Sequence, residues 1–233
     1  LLFTPIAEAL KAAGVDRVNF SLDTLKPDRF QRITRLYGDP QPVLEAVDAA
    51  LAVGMDPVKV NMVVIRGWND DEVADMARLS LERPVHVRYI EVMPFSEAYT
   101  FTQENLVSAA EIRERLIEAF GDLEPLRAGV RGNGPARYWR LPGARGTVGF
   151  ISAVTECFCD GCNRIRLSAD GKINPCLGHV HEVDLKPVLR DPNATLEDLA
   201  QAMADAILQK PREHNFADKD AEYALRVMHG IGG

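Results

Sequence analysis

All four cysteines of the chain, Cys157, Cys159, Cys162 and Cys176, fall between residues 157 and 176. A disulfide framework would scatter its cysteines to staple distant loops, so this crowding points to a reducing compartment and a metal site. Cys159-x2-Cys162 turns two thiolates toward one point, and Cys176, reached across a hairpin, adds a third. Zinc and iron–sulfur sites are both built this way. Spacing alone favours zinc, with the tetrahedron closed by Cys157, His179 or His181. Three cysteines on a 4Fe-4S cluster would instead leave one iron open to an outside ligand. Cys157, two positions before Cys159, either points the same way on an extended strand and binds too, or is buried.

Asn163-Arg164-Ile165-Arg166 follows Cys162 directly, and the two arginines, two residues apart on a strand, share a face beside the metal. Paired guanidiniums offset thiolate charge or hold an anion such as phosphate or a purine carbonyl; the plainer reading is a solvated basic strand face. Lys59 stands out because it lies inside a strand flanked by β-branched residues. The chain ends His229-Gly230-Ile231-Gly232-Gly233. Such tails usually fray, but a backbone without side chains can also enter a narrow cavity.

The elements that must position these groups alternate. Helical periodicity over Thr4 to Ala13 stops at Gly14, and a strand follows over Arg17 to Asp23. Helices from Pro27 to about Arg35 and from Val43 to Val53 precede a strand over Pro57 to Ile65. A helix capped by Asn69 or Asp70 runs to about Leu81, before a strand over Val85 to Met93. Strand, helix, strand at this spacing predicts a parallel sheet. The strands alternate rather than reading as apolar runs: Asn19, Ser21 and Asp23 share one face, as do Lys59 and Asn61. A polar face suits a barrel lumen holding a polar ligand better than the rim of an open sheet. Beyond Pro94 come a loop, a helix over Ala109 to Phe120, a Gly/Pro/Arg-rich segment to Gly146, and a strand at Val148 to Ile151. A hairpin around Ala169-Asp170-Gly171 and a helix capped by Thr195 complete the reading.

The chain has 233 residues, 46% hydrophobic and 26% charged, with 27 Lys+Arg against 34 Asp+Glu for a net charge of −7. That composition excludes disorder, and no apolar run approaches the ~20 residues of a membrane helix. A general electrostatic grip on nucleic acid is not expected, so an anionic ligand must be held locally. The chain opens on Leu1 and a helix with no preceding strand, without a targeting signal, and reads as truncated at its N-terminus.

The run from Cys159 through Asn163-Arg164-Ile165-Arg166-Leu167-Ser168-Ala169-Asp170-Gly171-Lys172 to Cys176 carries a family resemblance. With Ser21-Leu22-Asp23, Lys59-Val60-Asn61, Ile90-Glu91-Val92-Met93-Pro94 and Gly232-Gly233, it resembles the GTP 3′,8-cyclases of the radical S-adenosylmethionine superfamily, over essentially the whole chain. The resemblance implies an α/β fold: the C-terminal part of an incomplete (β/α), TIM-like radical SAM barrel over residues 1–97. A C-terminal α+β domain with an iron–sulfur site follows over 98–233. It replaces zinc by an auxiliary 4Fe-4S cluster on Cys159, Cys162 and Cys176. It further implies GTP contacts from Lys59, Arg164 and Arg166, S-adenosyl-L-methionine contacts from Ser21 and Met93, and an inserted catalytic tail of Gly232 and Gly233.

In that family a radical formed from S-adenosylmethionine takes the hydrogen from C3′ of GTP, and the carbon radical attacks C8 of guanine. A cytoplasmic setting, a downstream cyclic pyranopterin monophosphate synthase and a homodimer are the implied context, with neither nucleic acid nor membrane as partner. One departure is large. The family's second 4Fe-4S cluster uses C-x3-C-x2-C near the N-terminus, and no cysteine here precedes Cys157. The expectation is therefore a C-terminal portion that makes no radical by itself. Another radical enzyme with an auxiliary cluster, or a zinc-binding interaction module, are the alternatives.

Overall fold

The computed structural model describes residues 2–35, 38–94, 103–127, 130–214 and 216. Contacts divide the chain into two compact units, Leu1–Val92 with Gln103–Glu156, and Met93–Thr102 with Cys157–Gly233.

In the first unit a 3-10 turn, Thr4–Ile6, runs into α1 (Ala7–Ala12), and β1 (Val18–Ser21) follows. Pro27, whose missing N–H costs nothing in a first helical turn, opens α2 (Pro27–Thr34). α3 (Gln41–Ala52) buries Val43, Ala46, Val47 and Ala50, a stripe at helical spacing, and Gly54 turns the chain out at φ +73°. β2 (Val58–Val64), α4 (Val73–Glu82) and β3 (His86–Glu91) continue the alternation. α5 (Ala109–Phe120) starts where the Ser108 side chain accepts the Glu111 N–H, and β4 (Glu124–Pro125), β5 (Arg137–Arg140) and β6 (Thr147–Ile151) come after it.

The six strands lie in the order β1-β2-β3-β6-β5-β4. β1, β2, β3 and β6 pair in parallel, whereas β5 and β4 add antiparallel strands. Residues 103–156, grouped with the second domain in the sequence reading, thus pack with the first unit, because β6 is the parallel neighbour of β3.

Register sorts the sheet into two faces. Asn19, Lys59, His86 and Thr147 align in one row, and Ser21, Asn61, Arg88, Gly149 and Tyr138 in the next row of the same face. The other face carries Phe20, Val60, Val87 and Val148, then Met62, Tyr89 and Phe150, and packs on α3, α4 and α5. Each fully buried side chain of this size contributes about 1.5–3 kcal/mol, so this face holds the unit together.

One helix start differs from expectation. A 3-10 turn, Asp70–Glu72, precedes α4, and the Asn69 side chain makes no capping bond. It is buried instead: its Oδ1 accepts the Ile65 N–H at 2.8 Å, and its Nδ2 donates to the Asp23 and Val63 carbonyls at 2.7 and 2.8 Å. Tying the ends of two parallel strands satisfies more buried backbone than a cap would.

The second unit holds an antiparallel sheet of β7 (Arg166–Leu167), β8 (Lys172–Asn174) and β9 (Val183–Asp184). Gly171, at φ +78°, closes the β7–β8 turn, where the Ser168 hydroxyl donates to Asp170. α6 (Lys186–Arg190) and α7 (Leu196–Leu208) follow, and Thr195 and Asp198 form a reciprocal capping box on α7. Ile173, Leu185 and Ala206 make its small core. Among the described residues no helix is long and apolar enough to cross a membrane.

Candidate functional site

Ser21 and Lys59 both lie on the polar face of the first unit's sheet, in adjacent rows. Ser21 is exposed at the end of β1. Lys59 is only 7% exposed, and its ammonium donates to the Arg131 carbonyl at 3.0 Å. Burial pushes its pKa down, and the nearby positive charges of Arg88 and Arg17 push it further the same way.

Arg88 is fixed by donating to Asn61 Oδ1 at 2.7 Å and Asn19 Oδ1 at 3.0 Å. A Cβ at Gly149 would lie 2.8 Å from the Tyr138 ring, so the bare backbone lets that ring settle on this face, where its hydroxyl meets Arg88. His86 completes the row, its Nδ1 2.8 Å from the Thr147 hydroxyl. Burial and the charge of Lys59 hold its pKa down at about 4. The face thus gathers fixed cations and neutral hydrogen-bonding groups, a surface made for an anionic, polar ligand. The alternation foretold the face but not the Arg88 fork, whose partners lie 27 and 69 positions away.

In the second unit Cys159, Cys162 and Cys176 come together. Burial raises the Cys159 and Cys176 thiols, and Cys159 feels the charges of Cys157 and Cys176 while Cys176 feels that of Cys162. The backbone N–H groups of His214 and Gly178 point at the Cys159 and Cys176 sulfurs and favour their thiolates. Lys210 donates to Cys162 Sγ at 3.3 Å, to the Cys162 carbonyl at 2.8 Å and to the Arg164 carbonyl at 2.7 Å. None of the four cysteines is in a disulfide. Three converging thiols met by N–H donors and an ammonium are a donor set that fits a thiolate-bound cluster.

The arginines stand beside these thiols. Arg164 is exposed, Arg166 is half-buried, and burial together with the Arg164 charge lowers the Arg166 pKa. Asn174, opposite Arg166 in the β7–β8 register, is 3% exposed, and its Oδ1 has no hydrogen bond among the described residues. Two like charges held close and an acceptor awaiting a donor suit a ligand bearing both anionic and N–H groups.

Two sequence expectations change. His179 and His181, offered as ligands, direct Nε2 at the Glu213 carbonyl (3.0 Å) and Gln209 Oε1 (2.6 Å). The histidine that approaches the sulfurs is His214, and Cys157 is exposed rather than buried. Met93 is half-buried in the second unit, and Gly232 and Gly233 lie outside the described residues.

Glu91 at the end of β3 is 1% exposed and accepts the N–H groups of Ala109 (3.0 Å), Val154 (2.8 Å) and Thr155 (2.9 Å), together with the Thr155 hydroxyl. A concavity of about 640 Å³ lined by Leu25, Pro40, Leu44 and Leu79 among others contains none of the predicted site residues.

Comparison with known proteins gives the family. The profile of the radical SAM superfamily matches residues 2–80, and that described as Molybdenum Cofactor Synthesis C matches residues 85–216. A GTP 3′,8-cyclase of Desulforamulus reducens is 46% identical over 233 residues, covering all of this chain and 70% of the relative. Those of a Cyanothece species and a Nostoc species are 47% and 43% identical, again over the whole chain and 71% of each relative. Matched along its full length at this identity, with both profiles in succession, the chain belongs to the GTP 3′,8-cyclase family, radical S-adenosylmethionine enzymes of molybdenum cofactor biosynthesis.

Proposed function

We propose that Cys159, Cys162 and Cys176 hold a 4Fe-4S cluster beside which Arg164 and Arg166 bind GTP, for conversion to 3′,8-cyclo-7,8-dihydro-GTP. The observation that carries this reading is the half-buried Arg166, which opens β7 and feels the charge of Arg164 in the segment between it and Cys162. A cluster held by three cysteines supplies one iron without a protein ligand, open to a donor atom of the substrate. The guanidiniums draw the triphosphate or the purine carbonyl, Asn174 Oδ1 accepts from a base N–H, and Lys59 is taken as a further GTP contact.

Ser21 presents an exposed hydroxyl and Met93 a polarizable thioether, groups suited to the ribose and adenine of S-adenosylmethionine. Helices on one face of the parallel strands and polar rows on the other support a (β/α) barrel wall whose polar side faces the lumen. The same reading has Gly232 and Gly233 as an inserted tail and takes 1–97 and 98–233 as family segments of the chain, although residues 103–156 pack with the first unit. Cysteines free of disulfides suit a reducing cytoplasm, where a cyclic pyranopterin monophosphate synthase would take the product onward.

The test is GTP binding by the anaerobically reconstituted chain, followed calorimetrically. Charge-assisted bonds are worth about 1.5–3 kcal/mol, so Arg164→Ala is expected to weaken GTP about ten- to hundred-fold. Unchanged affinity would overturn the assignment of the arginine pair.

A further inference from the structure

Cys157, Cys159 and His214 place two sulfurs and a ring nitrogen all within 4.8 Å of one another, a tighter group than the three cysteines assigned above. We propose that these residues form a site for a single thiophilic divalent cation of the zinc class, and that this ion and a cluster on Cys159, Cys162 and Cys176 exclude each other. The proposal stands apart from the GTP reading and touches it only through Cys159, the ligand the two sites share.

Zinc takes sulfur at about 2.3 Å and imidazole nitrogen at about 2.0–2.1 Å, so tetrahedral ligand atoms sit roughly 3.4–3.8 Å apart. Closing the observed group onto one ion therefore asks for about 1 Å of side-chain movement. A cluster distributes its thiolates over different irons and needs them spread more widely. Cys157 and Cys159, two residues apart, present their sulfurs to the same side, and exposed Cys157 gives the ion a way in from solvent.

His214 is held by packing. Its ring stacks on Phe216 with centroids 4.1 Å apart, and the bond its Nδ1 accepts from the Phe216 N–H at 3.3 Å is given up on ligation, either to the ion at Nδ1 or to the ring proton that moves there when Nε2 binds. A Cβ on Gly178 would come within 2.5 Å of the His214 Cβ, so that glycine is what lets His214 sit against the loop that follows Cys176. Two thiolates and an imidazole select zinc-like ions over magnesium or calcium. In the cell such an ion would hold the Cys159 thiolate before cluster insertion and would have to leave for insertion to proceed.

The test is titration of the full, iron-free chain with cobalt(II) alone under anaerobic conditions, reading the thiolate-to-metal charge-transfer band, with zinc then added to displace the cobalt. Cys157→Ala and His214→Ala are expected to weaken cobalt at least tenfold, with Cys162→Ala near wild type. Loss with Cys162→Ala but not with Cys157→Ala would place the ion on the cluster cysteines and overturn the proposal. Zinc-loaded chain is expected to take up iron and sulfide only as zinc is released, while full loading of both would refute exclusion. Cys157→Ala is expected to reconstitute a full complement of iron and sulfide. Losing that capacity would make Cys157 a cluster ligand and also end the proposal. Failure of wild type to assemble a cluster while cobalt still binds through Cys157 and His214 would count against the GTP-site reading alone.

Discussion

Lys210 sets one ammonium against three acceptors, the Cys162 sulfur and the carbonyls of Cys162 and Arg164. It thereby ties the Cys-x2-Cys turn to the segment that leads into β7. Lys210→Met removes about 1.5–3 kcal/mol of charge-assisted bonding. The variant is expected to lose iron to a chelator roughly ten times faster than wild type, read by bleaching of the cluster absorbance. Lys210→Arg should recover part of the loss. Cysteine and arginine positions were legible because their spacing is short and local, whereas Lys210 reaches Cys162 across 48 residues and leaves no mark in periodicity.

His86 shows how the polar face responds to pH. Folded, it binds its proton near pH 4, while its ordinary value is 6.5. Between the two the unfolded chain carries the extra proton, so the stability tied to neutral His86 is whole above about pH 6.5 and is lost as the pH falls toward 4. The wild-type advantage over His86→Gln in urea midpoint is expected to shrink between about pH 7 and pH 4.5. Parallel profiles would show that His86 titrates normally in the folded protein.

Among the elements, the end of β3 does more than terminate a strand. Glu91 gathers the start of α5 and the turn after β6, which ends two residues before Cys157 at Thr155, onto one buried carboxylate. Glu91→Ala strands these amides in a dry interior, where each unmet donor costs about 1–3 kcal/mol. A loss of about 3 kcal/mol or more is expected in denaturant unfolding, at unchanged slope. A loss below 1 kcal/mol would mean water reaches the amides.

The helices and parallel strands were readable because period and breakers agreed: Gly14, Pro27, Gly54 and Pro84 bracket them. β5 was not, since Arg137–Arg140 sits in a Gly/Pro/Arg-rich stretch and becomes a strand only by pairing with β6. Asn69 misled for a related reason. A residue type that favours caps was recruited by two strand ends brought together only in the folded chain.

At the scale of the molecule the two units differ in how they are held. The first has a broad core from Phe20 to Phe150, while the second relies on Ile173, Leu185 and Ala206 with a few flanking side chains. A core that small calls for a staple, which the proposed cluster would supply. The cluster-free chain is expected to melt in two calorimetric transitions. Reconstitution should raise the lower one and leave the upper in place. A single transition unaffected by reconstitution would show that the second unit needs no metal to fold.

The strand order also leaves β1 with a neighbour on one side only among the described residues. Half of its peptide groups therefore face outward as a ready rail for another strand. The rail is four residues long, and two of them, Asn19 and Ser21, are exposed and polar. Two copies of this chain meeting edge to edge there could zip for no more than that length and would gain little apolar contact.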